Sequence, residues 1–305
     1  MSITKNIDNH THIDKSKIKI FPPFPDAVKI EITGRCNLDC SFCAVPKNLR
    51  EVGDMDRGLF TNVLGQLKEI GVKQIGLFLL GESFLLYNID EYIDEVKTKF
   101  GFEYCFITTN GTLCHPQRLL NTIDAGLDSL KFSINAWDRE SYHKIHGKDL
   151  FDTVVKNIKW LGEYNKTHKK KVKTALSSIF YPEHEKELRS FHKEMSEYVD
   201  ETYFLPFLNM AGHVKGGGQV GNVGRMENPS KPVPCWVLFN ASKITWDGYL
   251  TACYSDNDER FKLGNLNEKT VLECWYGMKA TNLRLEHINN SFAPNSLCAK
   301  CLGIE

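Results

Sequence analysis

The chain has 305 residues, about twice the usual single-domain length, with 42% apolar and 25% charged residues, a composition that excludes a disordered, collagen-like or coiled-coil polypeptide. Lys plus Arg number 38 and Asp plus Glu number 38, so no global positive field collects phosphates and no nucleic-acid partner is expected. The most apolar stretch, Ile75 to Leu86, is shorter than the roughly twenty residues that span a bilayer, and the N-terminus is too polar for a secretion signal; the reading is a cytoplasmic protein with no membrane partner.

Residues 1–26 read as a polar tail that ends in the stiff segment Phe21 to Pro25. Beyond it, near-continuous apolar runs alternate with amphipathic segments. The spacing predicts strands at Val28–Thr33, Gln74–Leu80, Tyr104–Thr108, Ser129–Ile134, Lys173–Ile179 and Tyr203–Leu208. Helices are predicted at Arg57–Ile70, Ile89–Lys99, Pro116–Ala125, Leu150–Tyr164 and Glu183–Tyr198. Strands apolar on both faces require a parallel sheet covered by helices, and about six β/α units make an α/β partial barrel over residues 27–210, too few to close. A Gly/Pro linker at 211–234 follows, and residues 235–305, with five of the ten cysteines, read as a small second domain. Within it Ile244 to Cys253 has a β-hairpin pattern, with Asp247-Gly248 at the turn, that brings Cys235 near Cys253.

Ten cysteines in a chain of this kind suit metal or redox chemistry better than a disulfide framework. Cys36, Cys40 and Cys43 form C-x3-C-x2-C in the loop after the first strand, at the carboxyl end where ligands of such sheets sit. Three thiolates can hold three irons of a [4Fe–4S] cluster and leave the fourth open to chelate a small molecule; zinc with a distant histidine is the competing use. Cys235, Cys253, Cys298 and Cys301 form a second set that suits either zinc or a cluster. Cys105, Cys114 and Cys274 read as small core residues, one of which a hydrogen-returning enzyme would need in its pocket. His143 and His146 are candidate bases whose ordinary reading is a capping or surface role.

These residues resemble the radical S-adenosylmethionine (SAM) superfamily. Cys36, Cys40 and Cys43, with Phe42 before the last cysteine, match its cluster motif. Leu80-Gly81-Glu82-Ser83 stands where the family has Gly-Gly-Glu-Pro, which receives the methionine ammonium group; the first Gly and the Pro are changed. Thr109-Asn110-Gly111 and Ser133-Ile134-Asn135 resemble its ribose and carboxylate contacts, and Tyr142 to Gly147 the helix entry that follows. The second set resembles the twitch domain, a shortened SPASM extension that holds an auxiliary [4Fe–4S] cluster. The resemblance implies two clusters, SAM as co-substrate, and a flavodoxin or ferredoxin as electron donor. It also implies reductive cleavage of SAM to a 5′-deoxyadenosyl radical that abstracts hydrogen from a C–H bond. With a short N-terminal segment, a small-molecule substrate is expected, and oxidation of a secondary alcohol of a sugar or cyclitol is the leading reading. Epimerisation, peptide modification and a non-catalytic metal-binding role are the alternatives.

Overall fold

The structure, a computed structural model, describes residues 2–11, 15–208, 210, 213–215, 234–293 and 296–302. Six strands run parallel in sequence order: β1 (Ala27–Ile30), β2 (Gln74–Gly76), β3 (Tyr104–Thr109), β4 (Ser129–Ser133), β5 (Lys173–Ile179) and β6 (Glu201–Leu205). The intervening helices are α2 (Arg57–Ile70), α3 (Ile89–Asp94), α4 (Pro116–Asp124), α5 (Arg139–His146), α6 (Phe151–Thr167) and α7 (Glu185–Met195). The sheet does not close, as six units require.

The helices form where the apolar period is 3.6 and end where the backbone is released. Helix α2 starts at Asp56, whose carboxylate accepts the Leu59 amide, and stops at Gly71 in the left-handed region at φ 89°. Its buried face, Phe60, Val63, Leu64 and Leu67, joins Val28, Ile30, Ile75 and Ile107 of the strands in one apolar core. Helix α3 was expected to run without a break to Lys99; its last turn is instead a π-turn over Glu95–Lys99, where the Glu95 carboxylate takes hydrogen bonds from Arg57, Thr61 and Lys99.

Two features depart from the expected organisation. Residues read as tail form helix α1 (Ile3–Thr11), which packs on β5 and β6. The Ile3 and Thr4 amides donate to Glu201 at 2.7 and 2.8 Å, and Asn6 donates to Gln74 at 2.8 Å. Gln74 and Glu201 begin their strands, so α1 caps the amino end of the sheet and leaves the carboxyl end for ligands. The expected hairpin is present as β7 (Ser242–Ile244) and β8 (Tyr249–Thr251), continued by β9 (Lys262–Asn265). It does not stand apart from the barrel: β7 pairs parallel with β1, making one nine-stranded sheet in the order β6-β5-β4-β3-β2-β1-β7-β8-β9. Short helices α8 (Val237–Asn240), α9 (Val271–Trp275), α10 (Met278–Asn289) and α11 (Leu297–Leu302) complete the C-terminal part. The linker glycines between 216 and 224 lie outside the described residues. Among the described residues no helix is long and apolar enough to cross a membrane.

Candidate functional site

The first cysteine loop leaves β1 at its carboxyl end and is held from two sides. Helix α5 offers its last carbonyls to it: the Asp39 amide donates to His146 O at 3.2 Å and the Ser41 amide to Ile145 O at 2.9 Å. Gly147 ends that helix at φ 77°, where a Cβ would lie 2.8 Å from Asp39 Cβ; only glycine satisfies both the left-handed turn and the close approach. From the other side the Glu82 amide donates to Arg35 O at 2.8 Å, and a side chain on Gly81 would collide with the carbonyls of Thr33 and Arg35.

Cys36, Cys40 and Cys43 are half-buried and near enough for their charges to raise one another, although among the described residues no three His, Cys, Asp or Glu side chains are drawn into a metal-holding group. Burial pushes the Cys36 thiol up to about 11, with the Glu82 charge and Cys43 adding to the rise against the Leu38 amide. Cys40 is raised by burial and then by Cys43 and Cys36. Such a donor set favours a cation that would draw the thiols into their ionised form, as iron does. Two sulfurs already receive N–H groups. Val45 N is 3.4 Å from Cys43 Sγ, and His146 Nδ1 is 3.1 Å from Cys40 Sγ. Because His146 Nε2 accepts the Asn135 amide at 3.1 Å, the hydrogen-bond network assigns the ring proton to Nδ1, which donates to Cys40. Burial lowers this histidine to about 4, so it is neutral. The capping or surface role expected for His146 is therefore corrected: its ring stacks on Tyr142, meets Phe42 edge-on and is only 1% exposed.

The residues singled out after strands two to four gather beside this loop, mostly holding one another. The buried Glu82 carboxylate accepts Thr109 Oγ1 at 2.8 Å, the Asn110 amide at 2.7 Å and the Phe84 amide at 3.1 Å. Burial raises its pKa and these donors oppose the rise. Asn110 donates to Asn37 of the cysteine loop at 2.9 Å, and Ser83 donates to Leu77 O at 2.6 Å. Ser133 ends β4, half-buried. Asn135 accepts the Ile179 amide at 2.7 Å through Oδ1, while its Nδ2 is buried with no partner; Ser177 Oγ on β5 is likewise unpartnered. The unused Asn135 donor, beside the His146–Cys40 pair, fits a polar ligand such as SAM.

The second set comes from three segments: Cys235 before α8, Cys253 after β8, and Cys298 and Cys301 on α11. Their thiols feel each other's charge: after burial, Cys253, Cys235 and Cys301 all raise Cys298. Burial raises Cys235 to about 11 and Cys253 to about 12, Lys243 on β7 opposes both rises, and the Ser255 amide lies 3.3 Å from Cys253 Sγ. Glu31 ties this region to the first. It pairs with Arg50 at 2.6 Å, with side chains 0% and 4% exposed, and also accepts the amides of Leu80 at 3.1 Å and Trp246 at 3.2 Å. The Trp246 ring fills the space a Cβ would need at Gly34 and Gly53, so the hairpin turn leans on the first cysteine loop. Cys105, Cys114 and Cys274 lie in the apolar core at 0%, 0% and 2% exposure.

Residues 30–194 match the Radical SAM superfamily and residues 235–302 the iron–sulfur cluster-binding SPASM domain. The chain belongs to the radical SAM superfamily and its C-terminal residues match an iron–sulfur cluster-binding domain, which together imply a SAM-binding [4Fe–4S] cluster and an auxiliary cluster. It is similar to the SAM-dependent 2-deoxy-scyllo-inosamine dehydrogenase of Niallia circulans, 21% identical over 280 residues that cover 91% of this chain and 92% of that one. It is also similar to the GTP 3′,8-cyclase of Chlorobaculum tepidum, 33% identical over 133 residues, 44% of this chain and 40% of that protein. Across the first three curated relatives the match spans 65%, 40% and 42% of their own lengths. Its fold resembles Streptococcus suis SuiB, solved with the precursor peptide SuiA, at a TM-score of 0.68 and 18% identity, covering 98% of this chain and 73% of that one.

Proposed function

We propose that this enzyme is a dehydrogenase for a secondary alcohol of a sugar- or cyclitol-like small molecule, with Cys36, Cys40 and Cys43 holding the SAM-binding cluster and Cys235, Cys253, Cys298 and Cys301 the auxiliary one. The observation that carries the reading is the parallel pairing of β7 with β1, which puts Lys243 beside both Lys29 of the barrel and the thiols of Cys235 and Cys253. The second cysteine set is thereby built onto the sheet that would enclose the substrate, a short path for an electron leaving it. When bound, SAM and the two clusters supply a radical that takes the carbinol hydrogen and an acceptor for the second electron, while a flavodoxin or ferredoxin delivers the first.

The chain's own residues aim and seal that chemistry. Gly81 and Gly147 let the segment 81–83 and α5 close on the cysteine loop, and Glu82 fixes Thr109 and Asn110 as a SAM-facing rim. Asn135 Nδ2 and Ser177 Oγ are left free to bind. Helix α1 shuts the opposite end of the sheet, which keeps water out from below. A radical epimerase needs a thiol that returns hydrogen, and each of the three cysteines outside the two sets is sealed in the core.

Anaerobic, reconstituted enzyme incubated with SAM, a reductant and a panel of sugar and cyclitol alcohols tests the reading by mass spectrometry. The expected product is lighter by two hydrogens, one of which is recovered in 5′-deoxyadenosine. A product of unchanged mass that carries solvent deuterium overturns it in favour of epimerisation.

A further inference from the structure

The strands carry three lysines where apolar neighbours would be unremarkable: Lys29 in Ala27–Ile30, Lys131 in Ser129–Ser133 and Lys243 in Ser242–Ile244. Alternation puts their neighbours Val28, Ile30, Leu130, Phe132 and Ile244 into the helix-covered core, so the lysines lie on the concave face. Lys29 and Lys243 are direct register partners on β1 and β7, an arrangement of like charges that is ordinarily destabilising. Both ammonium groups lie over the ring of Tyr254, at 4.2 and 4.3 Å from its centroid, and Lys29 also lies 5.0 Å from the Phe78 ring. Lys131 lies 5.9 Å from the Tyr203 ring.

Nearby carboxylates are already committed. Glu31 is held by Arg50 and two amides, and Glu82 by Thr109 and two amides. Glu201 is taken by Ser2, Ile3 and Thr4, and Asp256 by Thr251 and the Phe261 amide. Lys243 donates to Ala252 O at 3.0 Å and faces the Cys235 and Cys253 thiols, which would neutralise it once ionised. Lys29 and Lys131 have neither a hydrogen-bond acceptor nor a carboxylate partner among the described residues, yet both stay partly open to solvent from the concave side. Burial, then the charges of Lys131 and Lys243, lower Lys29 to about 7, and burial lowers Lys131 to about 8. Unpaired ammonium groups on an enclosed face are costly, and a bound anion removes that cost.

We propose that Lys29 and Lys131 form an oxyanion site on the concave face, walled by the rings of Tyr254 and Phe78 at Lys29 and by that of Tyr203 at Lys131, and that the alcohol oxidised here carries a phosphate or carboxylate group. The proposal rests on the dehydrogenase reading for the word alcohol and on the lysines alone for the anion. The site has a positioning use: an anion fixed between β1 and β4 leaves the rest of the molecule to extend toward the strand ends where SAM would lie.

The test is calorimetric titration of inorganic phosphate, and separately of malonate, into the full chain carrying both clusters and SAM but no reductant. At least one anion binds, and the tighter of the two identifies the substrate group. Lys29→Met and Lys131→Met each weaken that anion at least tenfold and the double variant abolishes binding, whereas Lys29→Arg retains it. In thermal melts the anion raises the Tm of the unaltered protein; the Met variants start from a higher Tm and lose that response. Failure of both anions to bind, or binding that survives in the double variant, overturns the site. Because no turnover is needed, anion binding stands even if product of unchanged mass defeats the dehydrogenase reading. Conversely, oxidation of a neutral alcohol by protein that binds neither anion defeats the site alone.

Discussion

Cys36, Cys40 and Cys43 sit in one loop that the rest of the barrel clamps, whereas Cys235, Cys253, Cys298 and Cys301 arrive from three segments separated by a hairpin and two helices. Protein contacts position the first loop: α5 carbonyls, the Gly81 contact and the His146 hydrogen bond. The second set has fewer such braces. Cys298 and Cys301 ride on a helix of six residues, too short to be stable alone, and its attachment to Cys235 and Cys253 is where metal–sulfur bonds would act as tertiary structure. On the assignment proposed above, the first set would be a receptor shaped by the barrel and the second a fold that a cluster would complete.

Removing the cysteines separates these roles most strongly. Reconstituted protein should contain about eight irons, and replacing Cys36, Cys40 and Cys43 by Ala should leave about four, abolish formation of 5′-deoxyadenosine and scarcely change the thermal melt. Replacing Cys298 and Cys301 should also remove about four irons, but with a lower Tm and faster proteolysis of the C-terminal segment. Equal loss of stability in the two variants would erase the contrast.

Glu31 is the joint between the regions, and cutting it is the next largest effect. Glu31→Ala leaves the Arg50 guanidinium buried without its partner and strips an acceptor from the Leu80 and Trp246 amides, so a loss of about 3–5 kcal/mol is expected in chemical denaturation. The barrel and hairpin should then melt in separable steps. A single cooperative transition shifted by less than about 1 kcal/mol would show that the β1–β7 pairing suffices to join them.

Glu82→Gln probes the clamped loop alone and should be the mildest. An amide nitrogen in place of Oε2 faces the Asn110 N–H donor to donor, which displaces the Thr109–Asn110 segment. SAM affinity should fall about tenfold, or about 1.4 kcal/mol, with iron content unchanged. Unaltered SAM binding would mean that Asn110 owes its position to Asn37 and Thr112.

Much of this molecule was readable along the chain because its causes are local. Helix α2 coincides with its predicted span, since a 3.6-residue apolar period, Asp56 and Gly71 all lie within one segment. The C-x3-C-x2-C and late C-x2-C spacings carry their chemistry in a few residues, and the Asp247-Gly248 hairpin forms where the turn chemistry puts it. The substitution of Gly-Gly-Glu-Pro by Leu80 to Ser83 proved informative in its unchanged glycine: Gly81 is the residue whose missing Cβ admits two backbone carbonyls.

Tertiary structure decided what depends on partners distant in sequence. A polar tail and a capping helix have the same composition until Glu201, nearly two hundred residues away, takes up the first amides of α1. His146 reads as a helix-end histidine until Cys40 and Asn135 occupy its two nitrogens. The strand run Val28-Lys29-Ile30 states only that lysine and its neighbours face opposite ways, because a period of two is blind to which side of a sheet becomes the inside. The helices cover one face, the sheet curls around the other, and backbone pairing between residues 28–30 and 242–244 sets the buried Lys243 alongside the half-buried Lys29.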